Sequence, residues 1–398
     1  MDFTRCCRAA LIAAFAVIAA PVVWAQERPA EFQTYMRPGL TFTPGISMAG
    51  EWDSNVAVAA PLGRAAADRL FIFEPFGQLE LMSPRTQLVA GYKGFMRRYV
   101  EAEALNGYDQ RGYLSLRRLA TRRLTIFANN EYADVPTTDE LELNGLPFAR
   151  IGSKSNRFAG GVEARLAKYT DLHVRYENTW VKFDRPETFL SDGWINSLRT
   201  DLRRRLSERL SVGAEYGVRK ADVEEGLRTI WFQDFGGLVS YALGPQTSLV
   251  VSGGYSLLND NRIDGDRRGP YVRGEIAHSL ERATIGGSFE KSFVPTFGFG
   301  GSSENQELQG YIHMPLNRNR LYIQTSAVWR RSNPLLVEQE VELDTLQTNN
   351  TLGYAVARWL RLEAFHLFTR QDSRIAGGEI NRQRAGLQLV VSQPMRIR

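Results

Sequence analysis

The chain has 398 residues, a formal net charge of +5 and 49 basic side chains, of which six are lysine and the rest arginine. Basic residues alternate with acidic ones instead of forming a patch, which disfavours nucleic-acid binding. The two cysteines, Cys6 and Cys7, precede the first apolar segment, so we expect no disulfide, thiol nucleophile or cysteine-based metal site in the mature chain.

The first residues have the layout of a secretory signal. Basic residues precede an apolar run over residues 9–20, and a small-residue cleavage site ends at Ala25. The run is shorter than the roughly 20 residues that a membrane-spanning helix needs. The sequence therefore predicts a cleaved signal peptide over 1–25 and a short periplasmic segment over 26–39.

From residue 40 to the end, apolar and polar residues alternate with a period of two. Leu172, Val174 and Tyr176, for example, alternate with His173 and Arg175. This period predicts β-strands with one apolar and one polar face. It suits a membrane barrel, but it also suits a soluble antiparallel sheet with one solvated face.

The alternation divides residues 40–398 into about eighteen strands in one domain. We expect them over 40–53, 70–82, 86–100, 107–120, 123–133, 154–167, 171–183, 193–206, 210–220, 229–243, 247–258, 269–280, 283–293, 304–315, 320–331, 344–357, 360–371 and 379–392. Pro44 and Pro75 interrupt two of these segments, which leaves sixteen strands as an alternative. An even number places both ends of the barrel on the periplasmic side.

The connectors favour the membrane barrel, because short and long ones alternate. Eight tight links fall near residues 83–85, 121–122, 168–170, 207–208, 244–246, 281–282, 317–319 and 358–359. Nine longer polar loops fall over 55–68, 101–106, 134–152, 184–192, 221–228, 259–268, 294–303, 332–343 and 373–378. The sequence thus predicts an all-β, transmembrane, antiparallel up-and-down barrel of the Gram-negative outer membrane, with short periplasmic turns and long extracellular loops.

Aromatic residues gather near the predicted strand ends, where rings would form girdles at the lipid boundary. These residues are Trp52, Tyr99, Tyr132, Trp180, Trp194, Trp231, Phe293, Trp329, Trp359 and Phe368.

The first predicted strand carries a short motif. Residues 43–47, Thr-Pro-Gly-Ile-Ser, precede residues 51–56, Glu-Trp-Asp-Ser-Asn-Val, in which an aromatic-Asp-x-Asn step ends the strand. This start resembles the beta-barrel porin type 2 group, outer-membrane barrels associated with exopolysaccharide operons. The last strand, with Arg384 and Gly386, is similar to the assembly signal of outer-membrane barrels. The resemblance implies a role in the passage or surface handling of a secreted polysaccharide, with no catalytic residues to transfer.

A barrel of this size would have a polar interior, and strand parity assigns a set of charged residues to it. The predicted lumen-lining residues are Arg97, Arg111, Arg117, Arg157, Glu163, Arg165, Arg175, Glu177, Arg199, Asp201, Arg203, Glu215, Arg219, Arg273, Glu275, Arg330, Arg361 and Glu363. Mixed signs can pair across neighbouring strands and stiffen the wall. They can also exchange hydrogen bonds with a passing solute.

Two loops are candidates for an inward-folded constriction. The longest, over 134–152, carries Asp139, Glu140 and Glu142, and the loop over 332–343 is also acidic. The same loops would suit a solvated or cation-binding surface, and the sequence does not choose between these roles.

The predicted function is an outer-membrane, porin-like channel for passive passage of polar solutes or saccharides, with a role in exopolysaccharide export as the finer hypothesis. The alternatives are a closed structural or adhesive surface barrel and an outer-membrane hydrolase. The expected partners are outer-membrane lipid and lipopolysaccharide, the barrel assembly machinery and a polysaccharide.

We expect no enzymatic activity, no catalytic residues, no cofactor and no metal. The four histidines, His173, His278, His313 and His366, have no histidine or cysteine partner at metal-ligand spacing. His173 and His313 are predicted to face the lumen near the periplasmic rim, which is the wrong end for a surface hydrolase.

Overall fold

The structure is a computed structural model. It describes residues 38–58, 66–141, 143, 146–184, 190–223, 228–261, 265–297, 301–317, 320–335, 342–373 and 378–397. The predicted signal peptide, and the segment 26–39 up to residue 37, lie outside the described residues.

The described chain forms eighteen long strands and one short one. In chain order they are β1 (Gly39–Asp53), β2 (Asp68–Met82), β3 (Thr86–Tyr99), β4 (Gly107–Thr121), β5 (Leu124–Val135), β6 (Ser153–Ala167), β7 (Thr170–Phe183), β8 (Gly193–Arg205), β9 (Leu210–Val223), β10 (Arg228–Gly244), β11 (Thr247–Asp260), β12 (Arg267–Leu280), β13 (Ala283–Pro295), β14 (Ser302–Leu316), β15 (Leu321–Pro334), β16 (Leu343–Ala357), β17 (Leu360–Ser373), β18 (Gly378–Ser392) and β19 (Met395–Ile397). Short 3₁₀ turns lie at Glu103–Leu105 and Thr138–Glu140. No helix among the described residues is long and apolar enough to cross a bilayer.

Each long strand pairs antiparallel with the next, and β1 pairs with both β2 and β18, so the sheet closes into a barrel. The prediction of eighteen strands is confirmed and the alternative of sixteen is wrong. Both proline-containing segments are full strands. Opposite β3, the ladder of β2 lapses around Pro75 and resumes in the same register, because a proline has no N–H to donate.

The short final strand extends the closure of the barrel. After Gln393 and Pro394, β19 pairs with residues 40–42 of β1, beside the part of β1 that pairs with β18. The chain after Pro394 is therefore a continuation of the wall.

The outer face of the barrel is apolar. On β8, Trp194, Leu198 and Leu202 point outwards and are 40–45% exposed, while Arg199 and Asp201 point inwards. The same alternation runs through the other long strands and leaves large apolar side chains exposed around the whole wall. A soluble protein does not expose so much apolar surface, and lipid is the solvent that accommodates it.

Two of the aromatic residues assigned to the lipid girdles are not on the outer face. Tyr99 is 4% exposed and shares the inward parity of Arg97. Phe293 is 6% exposed. The pairing of β13 with β12 ends at Lys291, and the end of β13 turns inwards, so that the Phe293 ring covers Gly269. The girdle assignment is therefore wrong for these two rings.

Candidate channel lumen and its inward loop

The strand register places all eighteen predicted lumen residues on the inner face, opposite the exposed apolar side chains. They are Arg97, Arg111, Arg117, Arg157, Glu163, Arg165, Arg175, Glu177, Arg199, Asp201, Arg203, Glu215, Arg219, Arg273, Glu275, Arg330, Arg361 and Glu363. How they act on a solute stays a prediction.

Inner-face charges of opposite sign pair along and across the strands. Arg203 Nε lies 2.6 Å from Asp201 Oδ2, and Arg219 Nη2 lies 2.8 Å from Asp234 Oδ2. Such pairs hold the long side chains against the wall.

The loop between β5 and β6, residues 136–152, folds into the barrel and reaches the opposite wall. On β17, the Gln371 side chain accepts a 2.7 Å hydrogen bond from the Phe148 N–H and donates a 3.1 Å bond to the Leu146 carbonyl. On β16, Gln347 Nε2 donates to the Asp139 carbonyl at 3.2 Å. Because these partners lie on the inner face of distant strands, the loop takes the inward position, one of the two roles that the sequence left open.

One buried arginine ties the loop to the seam where the barrel closes. Arg382 on β18 is 2% exposed, and its Nη1 donates to both carboxylate oxygens of Asp139 at 3.0 and 2.8 Å. Its Nη2 donates to Asp53 of β1 at 2.6 Å. Asp53 also accepts the Asn55 N–H at 2.9 Å, so the Asp-x-Asn step of the first strand secures this closure.

The neighbouring carboxylate, Glu140, lies among three arginines from β3, β4 and β18. It accepts hydrogen bonds from Arg97 Nη1 and Nη2 at 2.8 and 2.9 Å, from Arg384 Nη1 at 3.1 Å and from Arg111 Nη2 at 3.2 Å. Burial alone would raise the pKa of Glu140, but the guanidinium groups of Arg97, Arg384 and Arg111 outweigh it and hold that pKa well below its usual range. The carboxylate is therefore charged at neutral pH.

An apolar cluster supports the loop from the other side. Its members are 1–7% exposed and come from the loop, from β5 and β7, and from two further connectors. They are Val135, Leu141, Leu143, Leu146, Ile151, Val181, Phe183, Leu190 and Phe297. Ion pairs on one side and apolar packing on the other thus fix the loop across the long-loop end of the barrel.

The interior of the barrel is filled at the long-loop end and more open towards the short turns. On β1, the inner-face residues Ser47, Ala49, Glu51 and Asp53 are buried, whereas the inner-face residues nearer the short turns are partly exposed. The loop therefore narrows the extracellular half of the barrel and leaves a polar vestibule in the periplasmic half.

Sequence reasoning missed the arginines that hold the loop, Arg382 and Arg384, and a second fully buried pair. In that pair, Arg228 Nε donates to both carboxylate oxygens of Asp260 at 3.0 and 3.1 Å. Parity alone would have put Arg382 and Arg384 on the inner face. Their partners come from distant segments and could not be inferred from it.

In the other candidate loop, over 332–343, residues 336–341 lie outside the described residues. Of the four histidines, His173 and His313 lie on the inner face, opposite Asp201 and Gln324 respectively. Among the described residues, no three histidine, cysteine, aspartate or glutamate side chains are grouped as ligands for a metal ion.

A closed wall of eighteen strands, apolar outside and charged inside, defines an integral β-barrel protein of the outer membrane. No family model and no curated protein sequence matches the chain.

Solved outer-membrane proteins are similar at low identity. The Pseudomonas aeruginosa outer membrane protein OpdK is 12% identical with a TM-score of 0.44, over 89% of this chain and 99% of that one. Acinetobacter baumannii OccAB4 is 10% identical with a TM-score of 0.44, over 92% of this chain and 100% of that one. P. aeruginosa OprD is 11% identical with a TM-score of 0.40, over 92% of this chain and 98% of that one. These likenesses are too distant to carry over a substrate or the role of a residue.

Proposed function

We propose that the protein is a passive, porin-like channel for polar solutes, including saccharides. The observation that carries the proposal is the difference between the two halves of the interior. Inner-face side chains under the loop 136–152 are polar and partly exposed, as in a water-filled lumen. A barrel of eighteen strands is wide enough to hold an aqueous path, and the inward loop acts as its constriction.

The proposal is tested by electrical recording. Residues 26–398, refolded and inserted into a planar bilayer, are expected to give discrete conductance steps, whereas the same preparation unfolded by heat gives none. A folded barrel that inserts but stays electrically silent would contradict the channel.

The finer hypothesis places the channel in exopolysaccharide export. It rests on the resemblance of the first strand to barrels associated with exopolysaccharide operons. Deletion of the gene in its host is expected to lower the amount of polysaccharide outside the cell, and the intact gene is expected to restore it. Unchanged export in the deletion strain would refute this hypothesis and leave the channel itself standing.

The second candidate is a closed structural or adhesive barrel. It is favoured by one observation, the dense ion-paired and apolar anchoring of the loop 136–152 across the long-loop end. This candidate predicts a silent barrel whose extracellular loops bind a surface polymer, and loss of that binding when those loops are deleted.

We assign the protein no enzymatic activity. If surface hydrolase activity were found, a role for the inner-face imidazoles would require its loss in His173→Ala or His313→Ala.

A further inference from the structure

Six aromatic rings of the inner face each lie across a glycine of a neighbouring strand. In every case the glycine is the direct cross-strand partner, and a Cβ added to it would overlap the ring. The pairs are Tyr311 with Gly286, Tyr322 with Gly353, Phe365 with Gly386, Phe76 with Gly45, Tyr113 with Gly91 and Phe127 with Gly161. The missing side chain lets one face of the ring rest on the backbone, which also compensates for a glycine within a strand.

The six pairs occupy twelve consecutive strands, from β13 through β18 and β1 to β6. Each of these strands contributes either a ring or a glycine, and we call the six rings the aromatic arc. On β7–β12 the inner-face aromatic residues Phe183, Phe232 and Tyr271 are buried instead, at 3%, 0% and 0% exposure. The continuous set of lumen rings is therefore confined to one side of the barrel.

The aromatic arc lies away from the loop 136–152. Phe127 is the fourth residue of β5 and Phe365 the sixth of β17, both counted from a short turn, and Tyr113 is near the middle of β4. Tyr113 is 37% exposed, and of the remaining rings only Tyr322 is buried. Phe76, Tyr113, Phe127 and Tyr311 are partly exposed on the inner face, while Phe365 also packs against the apolar cluster around Ala49 and Leu70.

Hydrogen-bonding side chains without charge lie between the rings. Gln78 accepts a 2.7 Å hydrogen bond from the Tyr113 hydroxyl, and Ser115 donates to Asn129 at 2.8 Å. Gln309 and Asn349 occupy inner-face positions on β14 and β16. The arc thus combines flat apolar faces with amides and hydroxyls, and with charged neighbours such as Arg117, the cross-strand partner of Phe127.

We propose that the aromatic arc is a binding track for a saccharide chain. A pyranose ring has apolar C–H faces, and packing such a face against an aromatic ring removes apolar surface from water. The hydroxyls around its edge can form hydrogen bonds with amide and hydroxyl side chains. Successive rings around the wall offer successive sugar units the same contact. The inference rests on the proposed channel, since it names the solute class that the vestibule retains.

The test is single-channel recording of the refolded chain with maltohexaose and laminarihexaose on the periplasmic side. We expect at least one of them to interrupt the current with a resolved residence time, and a polyethylene glycol of equal hydrodynamic size to give no resolved events. In Tyr113→Ala and Tyr311→Ala we expect residence times roughly three- to tenfold shorter, while Tyr113→Phe keeps the original time.

The chain provides a matched control on the outer face of β4. Tyr108, whose direct cross-strand partner is Met96, lies over the diagonal neighbour Gly94 and faces away from the lumen. Tyr108→Ala is expected to fold and conduct with an unchanged residence time. The inference is overturned if neither hexasaccharide interrupts the current, or if Tyr108→Ala and Tyr113→Ala shorten the events equally.

Failure of the channel itself would be recognised separately. If the folded barrel does not conduct, calorimetric titration of the detergent-solubilised protein with the two hexasaccharides measures binding directly. Binding that weakens in Tyr113→Ala and not in Tyr108→Ala would then uphold the track without the channel, and absence of binding would reject both.

Discussion

Glu140 is one of the groups that hold the loop 136–152 across the barrel, and removing its charge should weaken that hold. In Glu140→Gln the side chain keeps its shape but presents an amide to Arg97, Arg111 and Arg384. Breaking a buried ion pair costs about 3–5 kcal/mol. Arg97 keeps Asp109 at 3.0 Å, so we expect a smaller cost than this, about 2–3 kcal/mol, in the equilibrium between docked and released loop.

Thiol labelling can measure this equilibrium, because the predicted mature chain contains no cysteine. Leu141→Cys places a thiol in the apolar cluster, at a site that is 5% exposed. In the Glu140→Gln background its maleimide labelling should be roughly 30- to 150-fold faster, which corresponds to about 2–3 kcal/mol.

The matched control is Glu103→Gln, since Glu103 is an exposed glutamate in another extracellular connector. That variant should leave the labelling rate of Leu141→Cys unchanged. Equal rates in the two glutamine variants would refute the view that ion pairing of Glu140 holds the loop.

Three further predictions concern pH, packing and a buried pair. Because the pKa of Glu140 is lowered in the folded protein, its contribution to loop docking is present above its ordinary pKa and is lost only as the pH falls through the lower, folded value. The difference in conductance between the original chain and Glu140→Gln should therefore be constant from neutral pH down to about 4.5 and shrink only in stronger acid. Gly286→Ala places a methyl group against the Tyr311 ring on the neighbouring strand and should lower the refolding yield. Gly274→Ala meets open space and should leave the yield unchanged. The yield is measured by heat-modifiable electrophoretic migration. Arg228→Ala leaves Asp260 buried without its arginine and should destabilise the barrel by about 3 kcal/mol in urea unfolding, and a change below about 1 kcal/mol would count against this pair as a structural anchor.

The sequence predicted the wall of this protein closely, because the wall is built from local information. A strand in a membrane barrel must alternate apolar and polar residues, and its connector must be short or long according to the side on which it lies. Those two patterns were enough to count the strands and to assign Arg175 and Glu177 to the inner face. Even Pro75 did not displace its strand, because neighbouring pairs on both sides keep the register.

Of the two wrong girdle assignments, Tyr99 has the inward parity of Arg97, so alternation already placed it inside, whereas Phe293 lies at a strand end that leaves the regular pattern. Phe293 stands at an outward position by alternation, yet the end of β13 is no longer paired with β12 and turns inwards. Local sequence contains no signal for this departure, because it depends on what fills the lumen beside it.

The candidate site was only partly accessible from the sequence. The acidic loop was identified as able to fold inwards, but its partners Arg382 and Arg384 are more than two hundred residues away along the chain. The glycines beneath the aromatic arc, such as Gly286 and Gly353, could not be paired with their rings before the strand register was known.

By itself the sequence determined the kind of wall, since alternation with a period of two and alternating connector lengths are properties of consecutive residues. Only the tertiary structure decided what lies inside that wall: the loop anchored by Arg382 and Glu140, and the rings that rest on glycines of neighbouring strands. The physical reason is that these contacts depend on closure and register, which bring together residues that no local pattern relates.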